Sequence, residues 1–316
     1  MTQSVPPPSK PDPVATEPAP AAPARNRRPK LLASAALAAV LAGLAFAVFG
    51  GSTNRVVDPV AEAATVSSGT AGYRMHLSIE VASSASPTAF TGTGDGTFDL
   101  RDRAGSMSLV MNLGNDPRAI QVLGSGTFTV HEIVNGTTVY VKLPAAATSA
   151  LPLSGKQWIA VDLAKVAGVP GLSSLESNPV SSDPSQILQY LRAVSDSIVS
   201  EGRQRVGGLE TTHYRANLSL DRVAAALPSA DRTAATQALS TFERGTQLHA
   251  IPVDVWVDAR HLVRRIEMTI AASFPGGQTL NEGMTIDISD YGPQPRPALP
   301  TAGEVANLSA LIGSGG

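Results

Sequence analysis

Apolar side chains recur at every second position in one stretch of this 316-residue chain after another. In the first such stretch, Tyr73, Met75, Leu77, Ile79 and Val81 alternate with polar or charged residues. A period of two places successive side chains on opposite faces of a β-strand. The pattern therefore predicts strands with one apolar and one polar face, and a core built mainly from a sheet.

The same alternation continues through the chain and predicts about eleven strands. Their connections are short, which favours antiparallel pairing between neighbours. A sheet of this size curls, so we expect an α+β fold built on one large curved antiparallel sheet, a half-barrel. The predicted strands are residues 73–81, 90–100, 107–113, 128–134, 139–143, 158–163, 198–206, 209–218, 250–258, 262–272 and 278–289.

Glycines mark two predicted turns and one unusual strand. Asn135-Gly136 fits the two positive-φ positions of a type I′ turn and predicts a β-hairpin. Gly207-Gly208 predicts a second tight turn. Gly92, Gly94 and Gly96 fall on one face of a single strand, which indicates a bend or a close approach of neighbouring atoms.

A helix is predicted in the middle of the chain, after Asp183. Asp183 is a suitable N-cap, and Pro184 suits the first helical position. Leu188 and Leu191 belong to an apolar stripe, so this helix is predicted to pack one face on the sheet and cover its concave side. Shorter helices are predicted at residues 220–227, 231–244 and 304–312.

The N-terminal part of the chain predicts a membrane anchor. Residues 31–51 form an apolar run long enough to span the roughly 30 Å of a hydrocarbon core. The arginines just before it, Arg27 and Arg28 among them, predict a cytoplasmic N-terminus and an extracytoplasmic main domain at the cell membrane. The alternative is a cleaved signal peptide, with cleavage near residues 45–47 or 61–64.

These features divide the chain into regions around a single folded domain, because the predicted helices are too few to form a second core. The regions are 1–30, a disordered Pro/Ala-rich cytoplasmic tail; 31–51, the transmembrane anchor; 52–68, a tether with a short helix; 69–292, the half-barrel domain; and 293–316, a Pro-rich segment with a short helix.

Residue types that carry catalysis or bind metals are scarce. The chain has no cysteine, which excludes disulfides, thiolate metal sites and a cysteine nucleophile. Its net charge of −2 argues against nucleic-acid binding. The histidines lack the spacing of a metal pair and fall mostly on polar strand faces, which predicts solvated side chains. We therefore expect no catalytic residue, no metal, no cofactor and no enzymatic activity.

The apolar strand faces are the remaining candidate site, and they are rich in methionine, which adapts to variable partners. They predict either an ordinary packed core or a cavity between a curved sheet and its helices. The predicted cavity residues are Met75, Leu77, Ile79, Met107, Leu109, Met111, Val139, Val141, Ile159, Val161, Leu188, Leu191, Leu239, Phe242, Val255, Ile266, Met268, Met284 and Ile286.

Several segments resemble those of the actinobacterial LppX/LprG-type lipoproteins, within the wider LolA/LolB/RseB-like half-barrel class. The resemblance covers residues 60–292 and is most typical at VDVWVD and the LVRRI that follows it. The segments that carry it are GTTVYVK (136–142), KQWIAVD (156–162), Asp183-Pro184 with the Leu188/Leu191 helix, VGGLETTHY (206–214), VDVWVD (253–258) and LVRRI (262–266).

The resemblance implies a protein that binds a lipid or another apolar ligand. Members of this class hold acyl chains in the concavity of the half-barrel, beneath helices that act as a lid. The acylated cysteine usual in the family is missing here, and the apolar run at 31–51 takes its place. The alternative is an RseB-like extracytoplasmic sensor or regulatory domain, with the Pro-rich tail engaging a cytoplasmic protein partner.

Overall fold

Twelve strands form one sheet in the computed structural model of this chain. Each predicted strand is present, and most extend a residue or more beyond the predicted bounds. The strands are β1 Gly72–Ser83, β2 Ser86–Asp99, β3 Ala104–Asn112, β4 Thr127–Asn135, β5 Thr138–Lys142, β6 Trp158–Asp162, β7 Ser195–Val206, β8 Leu209–Ser219, β9 Ala250–Asp258, β10 Val263–Phe274, β11 Gln278–Ser289 and β12 Val305–Asn307.

The strands follow the order β12-β6-β5-β4-β3-β2-β1-β11-β10-β9-β8-β7. Within the described residues the sheet is open, with β12 and β7 at its two edges. Its pairings are antiparallel except for the parallel pair of β12 with β6. The predicted large antiparallel sheet is therefore confirmed as an open, half-barrel-like sheet, with one strand that the sequence did not predict.

The structure describes residues 59–307 with interruptions. The predicted tail and anchor, the helix after Asp183, and the predicted cavity residues Leu188, Leu191 and Phe242 lie outside the described residues. No helix among the residues that are described combines the length and apolar character needed to cross a membrane. The interruptions are residues 85, 115–119, 122–124, 143, 147–152, 154, 163–194, 220–235, 238, 241–242, 247 and 275.

A short helix, α1 (Pro59–Ser68), packs on the sheet. Its proline stands at the first helical position, and several alanines follow in the helix interior, where alanine is the most favourable residue. Val60, Ala63 and Ala64 are fully buried in the main core. The Ser67 hydroxyl accepts a hydrogen bond from the Val263 backbone N–H at 3.1 Å. The end of the predicted tether is thus a helix packed into the domain.

The predicted hairpin at Asn135-Gly136 is confirmed, but its turn lies one residue later than predicted. Asn135 pairs with Thr138, so Gly136 and Thr137 are the central turn residues. Gly136 has a φ of 63°, and Thr137 has no positive φ. A positive φ at the first central residue alone is typical of a type II′ turn, not the type I′ turn predicted. Gly207-Gly208 supplies two positive φ values at its own tight turn, as predicted.

Residues 304–307 do not form the start of the short helix predicted at 304–312, and residues 308–312 lie outside the described residues. Residues 302–304 form a single 3₁₀ turn, and residues 305–307 are β12, paired in parallel with Trp158, Ile159 and Ala160 of β6. The backbone N–H of Gln157 also donates to the carbonyl of Glu304 at 3.1 Å. Extended pairing with β6 satisfies backbone groups that a helix would bond internally, so tertiary context decides the structure here.

Candidate functional site

The register of the sheet places the predicted cavity residues of the strands on one face. One line of directly opposed residues runs through Met111, Gly92, Ile79, Met284 and Met268. Directly opposed residues of antiparallel strands point to the same side. The predicted residues on this apolar face are Met75, Leu77, Ile79, Met107, Leu109, Met111, Val139, Val141, Ile159, Val161, Val255, Ile266, Met268, Met284 and Ile286.

The apolar face divides into a packed part and a less covered part. On β9–β11, Val255, Ile266 and Ile286 are buried and belong to the main core. Leu239, predicted for the cavity and placed on a short helical stretch, is buried in the same core. On β3 and β5, Met111 and Val141 are only partly buried. Met107 of β3 is buried in that core as well, whereas Met268 and Met284 of β10 and β11 are only partly buried. The packed-core interpretation therefore describes part of the apolar face, and the side chains from Met111 along the line to Met268, together with those of β5 and β6, form an apolar surface that is incompletely covered.

Gly92, Gly94 and Gly96 form a glycine stripe on β2, where the apolar face between β1 and β3 has no β2 side chains. A Cβ atom added at Gly92 would lie 3.1 Å from Met111 Sδ, and one at Gly94 would lie 3.1 Å from Leu109 Cδ1. One at Gly96 would lie 3.1 Å from the Ser106 carbonyl. Side chains of β3 thus lie directly against the β2 backbone, which is the close approach predicted from the glycine spacing.

One carboxylate, Glu282 of β11, lies on the apolar face and was missed in the sequence. It is directly opposite Val81 on β1 and Ile270 on β10. Its Oε2 atom is buried and has no hydrogen-bond partner among the residues that the structure describes. Burial raises the pKa of this carboxyl above its ordinary value. The signal in the sequence is its phase, because it falls at an apolar position of the β11 alternation, two residues before Met284.

Replacing Glu282 by glutamine is expected to raise the free energy of unfolding by about 1 kcal/mol at pH 8, and by less near pH 4. A raised folded-state pKa gives stability that is complete below the unfolded pKa and is lost as pH rises through the folded pKa. Glutamine does not titrate, so it removes this loss. Urea unfolding at both pH values measures the effect, with Glu80→Gln on the exposed opposite face as the control. A gain that is equal at both pH values contradicts the assignment.

The opposite face of the sheet carries polar side chains, several of which form ion pairs or hydrogen bonds with one another. His76 and His131 are exposed there, as predicted. The sequence predicted a solvated side chain for His213, but this side chain is buried. Its ring stacks on Trp256 with centroids 4.3 Å apart, and its Nε2 lies 2.6 Å from Asp254 Oδ1. Trp256 on the adjacent strand covers the imidazole ring. The alternation of apolar and polar residues does not predict whether a neighbouring side chain buries a histidine.

The remaining polar residues form ion pairs and no metal cluster within the described part of the chain. Arg265 donates to both carboxylate oxygens of Asp287, at 2.6 and 2.9 Å. Arg296 donates to Asp102 from two nitrogens, at 2.9 and 2.6 Å. Among the residues that the structure describes, no group of three or more His, Asp or Glu side chains could hold a metal ion. Asp287 and Asp102 thus have arginine partners.

No protein-family model matches this chain, and no curated protein matches it. Among solved structures it is similar to the lipoprotein LppX of Mycobacterium tuberculosis, with 12% sequence identity and a TM-score of 0.39, over 75% of this chain and 95% of that chain. It is also similar to LprF from Mycobacterium bovis, with 14% identity and a TM-score of 0.39, over 76% of this chain and 94% of that one.

A third similar structure is the MucA/MucB complex of Pseudomonas aeruginosa, with 13% identity and a TM-score of 0.30, over 78% of this chain and 59% of that chain. LppX also gives its name to the family that the sequence resembles. At these identities and TM-scores the similarities carry no argument about this chain, and the functional argument rests on the geometry of the apolar face.

Proposed function

We propose that this protein binds an apolar ligand, a lipid acyl chain in particular, on the apolar face of its sheet. The observation that carries the proposal is the incompletely covered part of that face. Met111, Val139 and Val141 point to the inner, apolar side of the sheet and yet are only partly buried. A bound hydrocarbon chain covers such side chains without needing polar contacts.

The energetics favour an unbranched hydrocarbon ligand. Moving a CH₂ group from water to an apolar surface contributes about 0.8 kcal/mol, before the cost of ordering the chain. Methionine side chains adjust to variable shapes, and Met107 and Met111 lie on the strand next to the glycine stripe.

We further propose that residues 31–51 anchor this domain at the outer side of the cell membrane, with residues 1–30 in the cytoplasm. The support is the apolar run and the arginines that precede it. An anchored binding domain stays next to the bilayer from which a lipid is taken. The role proposed is therefore binding or transfer of a lipid in the cell envelope, without catalysis.

A photoactivatable fatty acid that carries a diazirine tests the proposal directly. Purified full-length protein in detergent micelles is irradiated with the probe, and the crosslinked residues are mapped by mass spectrometry. We expect crosslinks on the incompletely covered part of the apolar face and none on the polar face. Crosslinks spread evenly over both faces, or confined to residues 31–51, contradict the proposal.

Replacing Met111 by asparagine is expected to weaken binding of this probe about tenfold. The change removes apolar contact area from the ligand side, and loss of part of a buried methionine contributes about 1.4 kcal/mol. Val110→Asn is the matched control, because Val110 is the next residue on β3 and is exposed on the opposite face. Probe titration with quantified crosslinking measures both variants. Equal weakening by the two substitutions argues against binding on this face.

A further inference from the structure

Glu282 is a polar group in otherwise apolar surroundings on the apolar face, two residues along β11 from Met284, which lies on the incompletely covered line that leads to Met111. Its closest neighbours on this face are Ile79 and Val81 of β1 and Ile270 of β10, and Leu280 and Met284 flank it on its own strand. Glu80 and Glu267 belong to the opposite face and cannot reach it through the sheet. None of the neighbouring side chains at these register positions carries a charge.

The position of Glu282 is energetically costly for the fold alone. A buried oxygen without a hydrogen-bond partner destabilises the fold, and a leucine at this position removes that cost. Glu132 also lies on the apolar face, but it is on β4, four strands away, and its register leads to Ile288, six residues from Glu282 on β11. Among the described residues Glu282 therefore has no polar partner on this face, and a ligand group is the candidate that we take up.

The chemistry of the missing partner follows from the surroundings of the carboxyl. A carboxyl group accepts hydrogen bonds in either protonation state, and a hydroxyl group donates one and accepts others. A ligand hydroxyl therefore satisfies the buried carboxyl oxygen within an apolar environment. A ligand that joins hydrocarbon chains to a free hydroxyl thus fits both the apolar face and Glu282.

We propose that Glu282 is the polar contact of the binding face and selects an acyl lipid with a free hydroxyl group over the same lipid with that hydroxyl esterified. This inference rests on the proposed function, because it needs the lipid to lie on the apolar face. It extends that function by naming the class of ligand and the residue that recognises it.

A competition experiment compares two lipids that differ only at the hydroxyl group. Full-length protein in micelles is crosslinked to the diazirine fatty acid in the presence of 1,2-dioleoylglycerol or 1,2-dioleoyl-3-acetylglycerol. The ratio of the two half-inhibitory concentrations is measured for wild-type protein and for each variant. Unequal partitioning of the lipids into micelles cancels when these ratios are compared between variants.

We expect wild-type protein to prefer the free hydroxyl about tenfold, the effect of one well-made buried hydrogen bond. Glu282→Leu is expected to bind both lipids equally and to have a higher melting temperature than wild type. Glu282→Gln keeps an amide that donates and accepts, so it retains part of the preference. Glu80→Gln, on the exposed opposite face, retains all of it.

The outcomes separate this inference from the proposed function. Equal competition by both lipids in wild-type protein, or an unchanged preference in Glu282→Leu, overturns the role of Glu282 and leaves acyl-chain binding in place. Failure of the diazirine probe to label the apolar face at all overturns the proposed function, and the role of Glu282 with it. A higher melting temperature together with a lost preference supports the inference, because a purely structural glutamate does not change lipid selectivity.

Discussion

Replacing Asp258 by alanine is expected to lower the free energy of unfolding by about 3–5 kcal/mol, because it leaves a buried arginine without its counter-ion. Arg264 donates to Asp258 Oδ2 from Nε at 2.8 Å and from Nη2 at 2.7 Å, and both side chains are only 7% exposed. Asp258 Oδ1 also accepts the backbone N–H groups of Arg260 and Leu262. Guanidinium chloride unfolding of the full-length protein measures the loss.

A double variant separates the unpaired charge from the loss of the turn. Asp258→Ala with Arg264→Met removes both charges and is expected to recover more than half of the stability, since apolar groups often replace buried ion pairs at little cost. Tyr291, whose ring lies 5.2 Å from the Arg264 guanidinium carbon, then packs against the methionine. If the double variant is as unstable as Asp258→Ala alone, the backbone hydrogen bonds to Asp258 account for the effect.

The same carboxylate predicts part of the acid sensitivity of the fold. Burial by itself raises the pKa of Asp258, but hydrogen bonds from the Leu262 N–H, the Arg264 side chain and the Arg260 N–H together hold this pKa below its usual value. A lowered folded-state pKa gives stability that is present above the unfolded pKa and is lost as pH falls through the folded pKa. The stability of Asp258→Ala is therefore expected to fall less steeply below pH 4 than that of wild type.

Replacing Gly105 by alanine is expected to lower the free energy of unfolding by about 3 kcal/mol, through overpacking. The added Cβ would lie 2.7 Å from the Thr97 carbonyl and closer still to the Phe98 ring. Phe98 is buried against Tyr73, with ring centroids 5.7 Å apart, so the ring has little room to move. Thermal and chemical unfolding of the full-length protein measure the effect.

Gly92→Ala is the matched control on the neighbouring strand. Its added Cβ meets the flexible end of Met111 at 3.1 Å and otherwise only ordinary contacts at 3.8 Å. We expect a loss below about 1 kcal/mol, because the methionine can change its rotamer. If the two alanine variants lose the same stability, β2 and β3 adjust as a unit and the close contact at Phe98 does not determine the cost.

Alternation was enough to predict which residues share the apolar face. Met75, Met107 and Ile266 lie on different strands far apart in the sequence, and the sheet register places all three on that face. This works because the period of a strand is fixed at two and a shift by one residue would expose the whole apolar set. The pattern does not say how well each residue is covered, so the structure was needed to find the incompletely covered part of the face.

The errors in the sequence predictions share a physical origin in long-range context. At the β4–β5 hairpin, register moved the turn by one residue, so Gly136 and not Asn135 has the positive φ. At Val305–Asn307, pairing with a strand far back in the sequence replaced the predicted helix. Glu282 was overlooked although its phase in β11 is apolar, because phase alone does not report whether neighbouring strands bury a charged residue.

Residues 292–307 run from β1, in the middle of the sheet, to its edge at β12. This connection limits how far the strands between these two points can separate. It is held at Gly292, whose N–H donates to the Gly72 carbonyl, at Arg296 by Asp102, and at Val305 on β6. Between Arg296 and Val305 the fully extended chain reaches about 30 Å. The three strand spacings from β3 to β6 amount to about 15 Å. The length of this segment therefore sets an upper limit on how far β4–β6 could separate from β3.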